Sequence, residues 1–218
     1  GPSGSVPLEE GGWVTGGPSA LAFPGLSEPE ELSVEQIAEV VESFAAAAVR
    51  ADQAGFDVVE LHAAHGYLLH EFLSPLSNRR EDEFGGSLSN RMRFPLAVVR
   101  AVREAWPADK PVLVRISASD WKEGGWDIEQ SIAFARELKE LGVDMIDVSS
   151  GGNAADQKIV LGPGYQVPFA AAIRRDAGIP VAAVGLITEA DHKRRLEAYL
   201  WRLLDGGPIL LPDGGTRP

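Results

Sequence analysis

The chain has 218 residues and no cysteine. That excludes disulfide frameworks and thiolate metal centres. Basic residues are also scarce, with 20 Lys and Arg against 32 Asp and Glu and a net charge of −12. Such a chain is poorly suited to phosphate backbones or anionic lipid, so neither nucleic acid nor membrane is an expected partner. The short basic piece "HKRR" at 192–195 reads as part of a helix. Long apolar runs are missing too. A stretch such as "FAAAAV" at 44–49 falls far short of the ~20 residues that span a bilayer. The opening "GPSGSVPLEEGG" has neither the basic nor the apolar region of a signal peptide. These absences lead to the expectation of a soluble, cytoplasmic protein. What is present is 44% hydrophobic residues, ample for one buried core.

Residues 1–32 are rich in Gly, Pro and Ser, show no sustained period, and read as loop. A helix follows in "SVEQIAEVVESFAAAAVRADQAG". Ser33 and Gln36 form a capping box, Ile37, Val40, Val41, Phe44 and Ala48 form an apolar stripe, and Gly55 ends it. "FDVVELH" then reads as a buried strand. The same helix-then-strand unit recurs. "NRMRFPLAVVRAVREAW" precedes the strand "PVLVRIS" (111–117). "DIEQSIAFARELKELG", with Asp127 as cap and Gly142 as stop, precedes "VDMIDVSS" (143–150). "VPFAAAIRRDAG" precedes "PVAAVGLIT" (180–188). Four apolar strands alternating with helices give an α/β fold with a parallel sheet covered on both faces. The polar, Gly-rich segments "HAAHGY", "RISASDW", "SSGGN" and "VGLITE" all follow strand C-termini, where such folds place their chemistry.

Three of the four histidines, His62, His65 and His70, crowd one of these strand ends. A zinc site would need a third ligand, for which Glu60 and Glu71 are near in sequence, but no zincin-type motif is present. Residues three apart on a strand point to opposite faces, so His62 and His65 converge only if the chain turns after His62. Two imidazoles can instead donate to one oxygen and polarise a carbonyl. Tyr67 adds a hydroxyl able to deliver a proton. Core histidines satisfied by backbone are the structural alternative. Arg115 stands within an apolar strand and needs an acceptor. It either pairs with Asp147 or Glu60, or faces a ligand. "NRREDEFGGSLSNR" reads as a solvated surface loop that could also shape a site mouth. The glycines of "SSGG" and "VGL" can let backbone approach a phosphate, though most such glycines simply make turns.

Taken together, "AGFDVVELHAAHGYLLHEFLSPLSNRREDEFGGSLSNRMRF", "VRISASDWKEGGW", "LGVDMIDVSSGG", "GPGYQVPFA" and "AVGLIT" resemble the Old Yellow Enzyme family, especially its bacterial, thermophilic-like branch. The resemblance covers roughly residues 10–192. It implies a (β/α)8 TIM barrel with FMN at its C-terminal mouth and an NADPH dehydrogenase or ene-reductase activity. NADPH or NADH would be the hydride donor and an enone-type small molecule the substrate. It further implies that His62 and His65, with Ala63 and Ala64 between them, bind the substrate carbonyl. Tyr67 would supply the proton, Arg115 would contact the pyrimidine edge of FMN, and Gly185 would lie in the loop near its phosphate.

The resemblance also has limits. The four strands correspond to strands 4 to 7 of the family barrel, and its first three strands have no counterpart. After "GLITEADH" the sequence departs, and the family's Gly-Arg pair at the phosphate is missing. The expectation is therefore a partial barrel: a loop segment at 1–32, a partial FMN-binding TIM-barrel domain at 33–192 and a divergent tail at 193–218. Open strand edges in such a fold call for closure by a second copy of the chain or by the missing barrel half. The alternative is a catalytically inert half-barrel serving as an oligomeric or structural module. An aldolase-type barrel is disfavoured, since no lysine stands at a strand end in these motifs.

Overall fold

The computed structural model describes residues 5–184 and 201–202. Short pieces open the chain. A 3-10 turn at Leu8–Glu10 is followed by β1 (Gly16–Gly17) and β2 (Glu30–Glu31), which pair in parallel. This corrects the reading of 1–32 as loop alone. The segment is anchored by long-range bonds: the buried Arg80 guanidinium donates to the carbonyls of Pro18 (3.2 Å) and Leu32 (2.7 Å).

Helix α1 (Val34–Gln53) begins as its residues dictate. Ser33 accepts from the Gln36 N–H, and the Gln36 side chain returns the bond to the Ser33 N–H, which satisfies two of the orphan donors of the first turn. Then come β3 (Val59–Ala63), α2 (Leu68–Leu73), α3 (Leu88–Ala105), β4 (Val112–Ser117), α4 (Ile128–Glu140), β5 (Met145–Ser149), α5 (Val167–Ala177) and β6 (Val181–Ala183). Asp127 caps α4 through the Gln130 N–H at 2.9 Å. The short α2 occupies a stretch to which the sequence pattern assigns no element. Of the strand expected over 180–188, Val181–Ala183 is observed, and residues 185–188 lie outside the described part.

Strands β3, β4, β5 and β6 form one parallel sheet in sequence order. A two-residue strand, β7 (Trp201–Arg202), joins β6 antiparallel, where a continuing βα repeat would have added a parallel one. The register aligns two apolar rows: Leu61, Val114, Ile146 and Val181, then Ala63, Ile116, Val148 and Ala183. All are buried in one core with Val98, Val99 and Val102 of α3, Phe134 and Leu138 of α4, and Ile173 of α5. The alternate row, on the opposite face, reads His62, Arg115, Asp147, Ala182. One face of the sheet therefore packs against helices and the other carries the polar and charged groups of β3 to β5, the arrangement of a barrel wall. Among the described residues the sheet does not close on itself, and β3 pairs only with β4.

Candidate active site

The strand ends and the loops after them build the site. β3 ends at Ala63, and residues 64–67 reverse the chain, with the Tyr67 N–H bonded to the Ala64 carbonyl at 3.1 Å. His65 and Gly66, at the centre of this turn, have φ of 59° and 74°. Positive φ at both central positions marks a type I′ turn, for which glycine is free and histidine is held at some cost. The turn resolves the convergence problem seen in the sequence. It folds the His65 ring back to lie edge-on to His62, with centroids 5.2 Å apart. The Tyr67 ring lies 5.0 Å from His62 on another side and is exposed.

Neighbouring strands fix the turn. The His65 N–H donates to Ser117 Oγ at 3.0 Å, and that hydroxyl donates to the Gly151 carbonyl at 2.7 Å. His65 Nε2 lies 2.8 Å from Ser149 Oγ, in hydrogen-bond contact. Gly152 belongs to the β5–α5 loop, and a Cβ added there would fall 2.5 Å from the His65 Cα. One added at Gly66 would fall 2.6 Å from the Gly152 carbonyl oxygen. The two loops therefore meet backbone to backbone, which only glycine permits.

The electrostatics follow from this packing. Burial, then the nearby Arg115 charge, pushes the His65 pKa down to about 4. His62 is lowered by the same two causes, in the same order. Both rings are thus neutral near pH 7, each with one N–H to donate. Arg115 sits beside His62 in the sheet register, and its Nη1 lies 3.3 Å from Asp147 Oδ2. Asp147 is fully buried. Burial pushes its carboxyl above the ordinary value, against the pull of Arg115. Of the two acceptors foreseen for Arg115, Asp147 is the one in contact.

A cleft of about 700 Å³ opens beside the cluster, lined by His65, Tyr67 and Glu71 on one side and by Leu21 and Phe23 on the other. Burial raises the Glu71 carboxyl to about 7. Lys122 and Asp156, from the loops after β4 and β5, also line the cleft and form an ion pair at 2.7 Å.

The structure thus gathers His62, His65, Tyr67 and Arg115. Ala63 and Ala64 are spacers by contrast: both side chains are buried, Ala63 in the helix-facing core row, so only their backbone is left to meet a ligand. Gly185 lies outside the described residues. His70 is fully buried on α2. Its Nδ1 accepts from the Gly66 N–H at 3.0 Å, and its Nε2 lies 3.0 Å from Asp120 Oδ1. The loop read as solvated is packed as well, since Asn78, Arg80 and Phe84 are buried. Ser117, Ser149 and Asp120 carry no motif of their own. Their one signal in the sequence is a polar side chain at or shortly past the end of an apolar strand.

A family model described as the NADH:flavin oxidoreductase / NADH oxidase family matches residues 18–198. An NADPH dehydrogenase of Bacillus velezensis is 55% identical over 172 residues, which cover 78% of this chain and 50% of that protein. An NADPH dehydrogenase of Listeria monocytogenes is 51% identical over 180 residues, covering 82% and 52%. The chain spans about half the length of these relatives. Among solved structures, morphinone reductase superposes with a TM-score of 0.66 at 30% identity, over 81% of this chain and 50% of that one. With the strand order, the polar face and the His–His–Tyr cluster on record, the chain belongs to the NADH:flavin oxidoreductase / NADH oxidase family, the flavoprotein TIM barrels of the Old Yellow Enzyme kind.

Proposed function

We propose that this chain carries the substrate-activating part of an FMN-dependent oxidoreductase that reduces activated alkenes, the α,β-unsaturated carbonyls, with NADPH or NADH. The observation that carries the reading is the convergence of two neutral imidazoles and one phenol at the C-terminal end of β3. Two N–H donors on one carbonyl oxygen draw electron density toward it and leave the β-carbon electron-poor. Neutral donors do this without giving up a proton to solvent or ligand. Tyr67 holds the proton for the α-carbon and reaches the cleft from its exposed position.

The residues present fit one edge of a flavin. The Arg115 Nε is buried without a hydrogen-bond partner, while the side chain keeps 28% of its surface exposed. A cation with a donor still unsatisfied suits the electron-rich pyrimidine edge, and Asp147 holds it in place. When bound, FMN supplies hydride transfer between the nicotinamide and the alkene. Gly185 is assigned to the phosphate side on the family resemblance. The relatives named NADPH dehydrogenase support the nicotinamide donor, and the likeness to morphinone reductase supports a reductase.

A second reading is a catalytically inert half-barrel in an oligomeric or structural role. It is favoured by the β3 edge, which among the described residues is paired on one side only. One experiment separates the two. The purified chain is mixed with FMN, freed of unbound cofactor, and its visible spectrum recorded. A retained flavin band near one per chain, with NADPH oxidation driven by a simple enone, supports the oxidoreductase. A colourless protein supports the inert module.

A further inference from the structure

We propose that His70 and Asp120 are positioning residues that hold the His65–Gly66 turn in its left-handed form, and through it set the His62–His65–Tyr67 cluster. Calling this turn catalytic rests on the function proposed above, but the brace itself does not. Its anchoring side chains are buried, and the turn they hold is half-buried. The Gly66 N–H donates to His70 Nδ1 at 3.0 Å. A nitrogen that accepts carries no proton, so the ring proton is fixed on Nε2, which faces Asp120 Oδ1 at 3.0 Å. The other Asp120 oxygen accepts from the Ser74 hydroxyl at 2.5 Å and from the Trp126 N–H at 2.7 Å. His70, Ser74 and Asp120 all have 0% exposure. Burial raises the Asp120 carboxyl, yet the close His70 ring and the bonds from Ser74 and the Trp126 N–H together bring it below its ordinary value. An ionised carboxylate thus anchors the far end of the chain of contacts.

The turn needs such an anchor. A non-glycine residue at φ 59° is held there only when its surroundings over-determine it. Each N–H of the turn has one designated acceptor: Ser117 for His65, His70 for Gly66 and Ala64 for Tyr67. Removing the His70 acceptor frees the middle one and leaves a half-buried N–H without its protein partner. His65 and Tyr67 flank that N–H directly. A buried Asp–His couple behind a strained turn is more than core filling, because apolar side chains of similar size would fill the same space without leaving polar groups to satisfy.

The test is NMR on the chain itself, with no ligand required. Long-range 1H–15N spectra of the wild type should show the His70 ring protonated on Nε2 alone. A proton on Nδ1 would overturn the brace. His70→Leu should speed Gly66 amide exchange by roughly tenfold, about the worth of one hydrogen bond to a buried group. It should also weaken the His62–Tyr67 ring cross-peaks, while the Val114 and Ile146 amides stay protected. His70→Asn places Oδ1 where Nδ1 stood and should restore Gly66 protection. Unchanged cross-peaks and exchange in His70→Leu would overturn the proposal. If that variant does not fold, the wild-type tautomer and the Asn variant still decide it. A colourless protein in the flavin experiment would leave these results standing.

Discussion

His65 and Glu71 face the same cleft with opposite titration behaviour, which makes their roles separable by pH. His65 has a folded pKa of about 4 against 6.5 for the free residue. The unfolded chain therefore takes up a proton first as pH falls, and the folded state loses stability from about pH 6.5 down to about 4. His65→Gln should flatten that part of the profile. Urea midpoints measured at half-unit steps test it, and parallel curves for the two proteins would mean that His65 is not desolvated. Glu71 runs the other way. Its folded pKa of about 7 stands above the ordinary 4.5 because burial penalises the charge. The folded state then holds the proton longer than the unfolded one, and stability is lost as pH rises from about 4.5 through 7. Glu71→Gln should match the wild type near pH 4.5 and be the more stable protein at pH 8. Equal midpoints at pH 8 would show the carboxyl to be solvated.

At the scale of elements, the site depends on how closely two loops approach. Gly152, with φ 96°, presses on the His65 backbone, and Gly66 on Gly152. Gly152→Ala combines an unfavourable dihedral with a backbone overlap, and neither contact is the flexible end of a side chain. The expected loss is about 1–3 kcal/mol from the dihedral alone, with the His62–His65 ring contact broken. Thermal unfolding and the ring cross-peaks of the variant check both parts. Unchanged cross-peaks would mean that the loop yields without moving the turn. This contact also shows what a sequence can and cannot disclose. The caps of α1 and α4 are written at the helix starts, so Ser33 with Gln36, and Asp127, were legible. The strands were legible because β-branched apolar runs alternate with helices. His62, His65 and Tyr67 stood out because they crowd one strand end. Their supports did not, because Ser117, Asp120, Ser149 and Gly152 lie some fifty to ninety positions away and meet the turn only once the sheet has formed. Arg80 was hidden for the same reason. Inside a charged loop it looks solvated, yet it is the residue that ties down the opening segment.

For the whole molecule, the edge of β3, paired on one side only among the described residues, and the charged inner face pose one problem. In β3 the Val59 N–H donates to the carbonyl of Pro111, just before β4. Backbone groups alternate sides along a strand, so those of Glu60 and His62 point to the unpaired edge. An edge with free donors and acceptors recruits another strand. Glu60 and the buried Asp147 on the inner face, and the net charge of −12, work against random stacking of such surfaces. The expected outcome is specific association through β3, either with a second copy or with a separately supplied barrel half. Sedimentation should then show species heavier than the 23.3 kDa chain at tens of micromolar. Glu60→Pro tests the edge directly, because proline removes an N–H that the β4 ladder does not use. That variant should keep its helical circular dichroism and sediment as a monomer. If the wild type is already a monomer at every concentration, the edge is covered within the chain and closure by a partner is not needed. If Glu60→Pro associates as strongly as the wild type, the contact lies on another surface, and the inner face bearing His62, Arg115 and Asp147 becomes the next one to mutate.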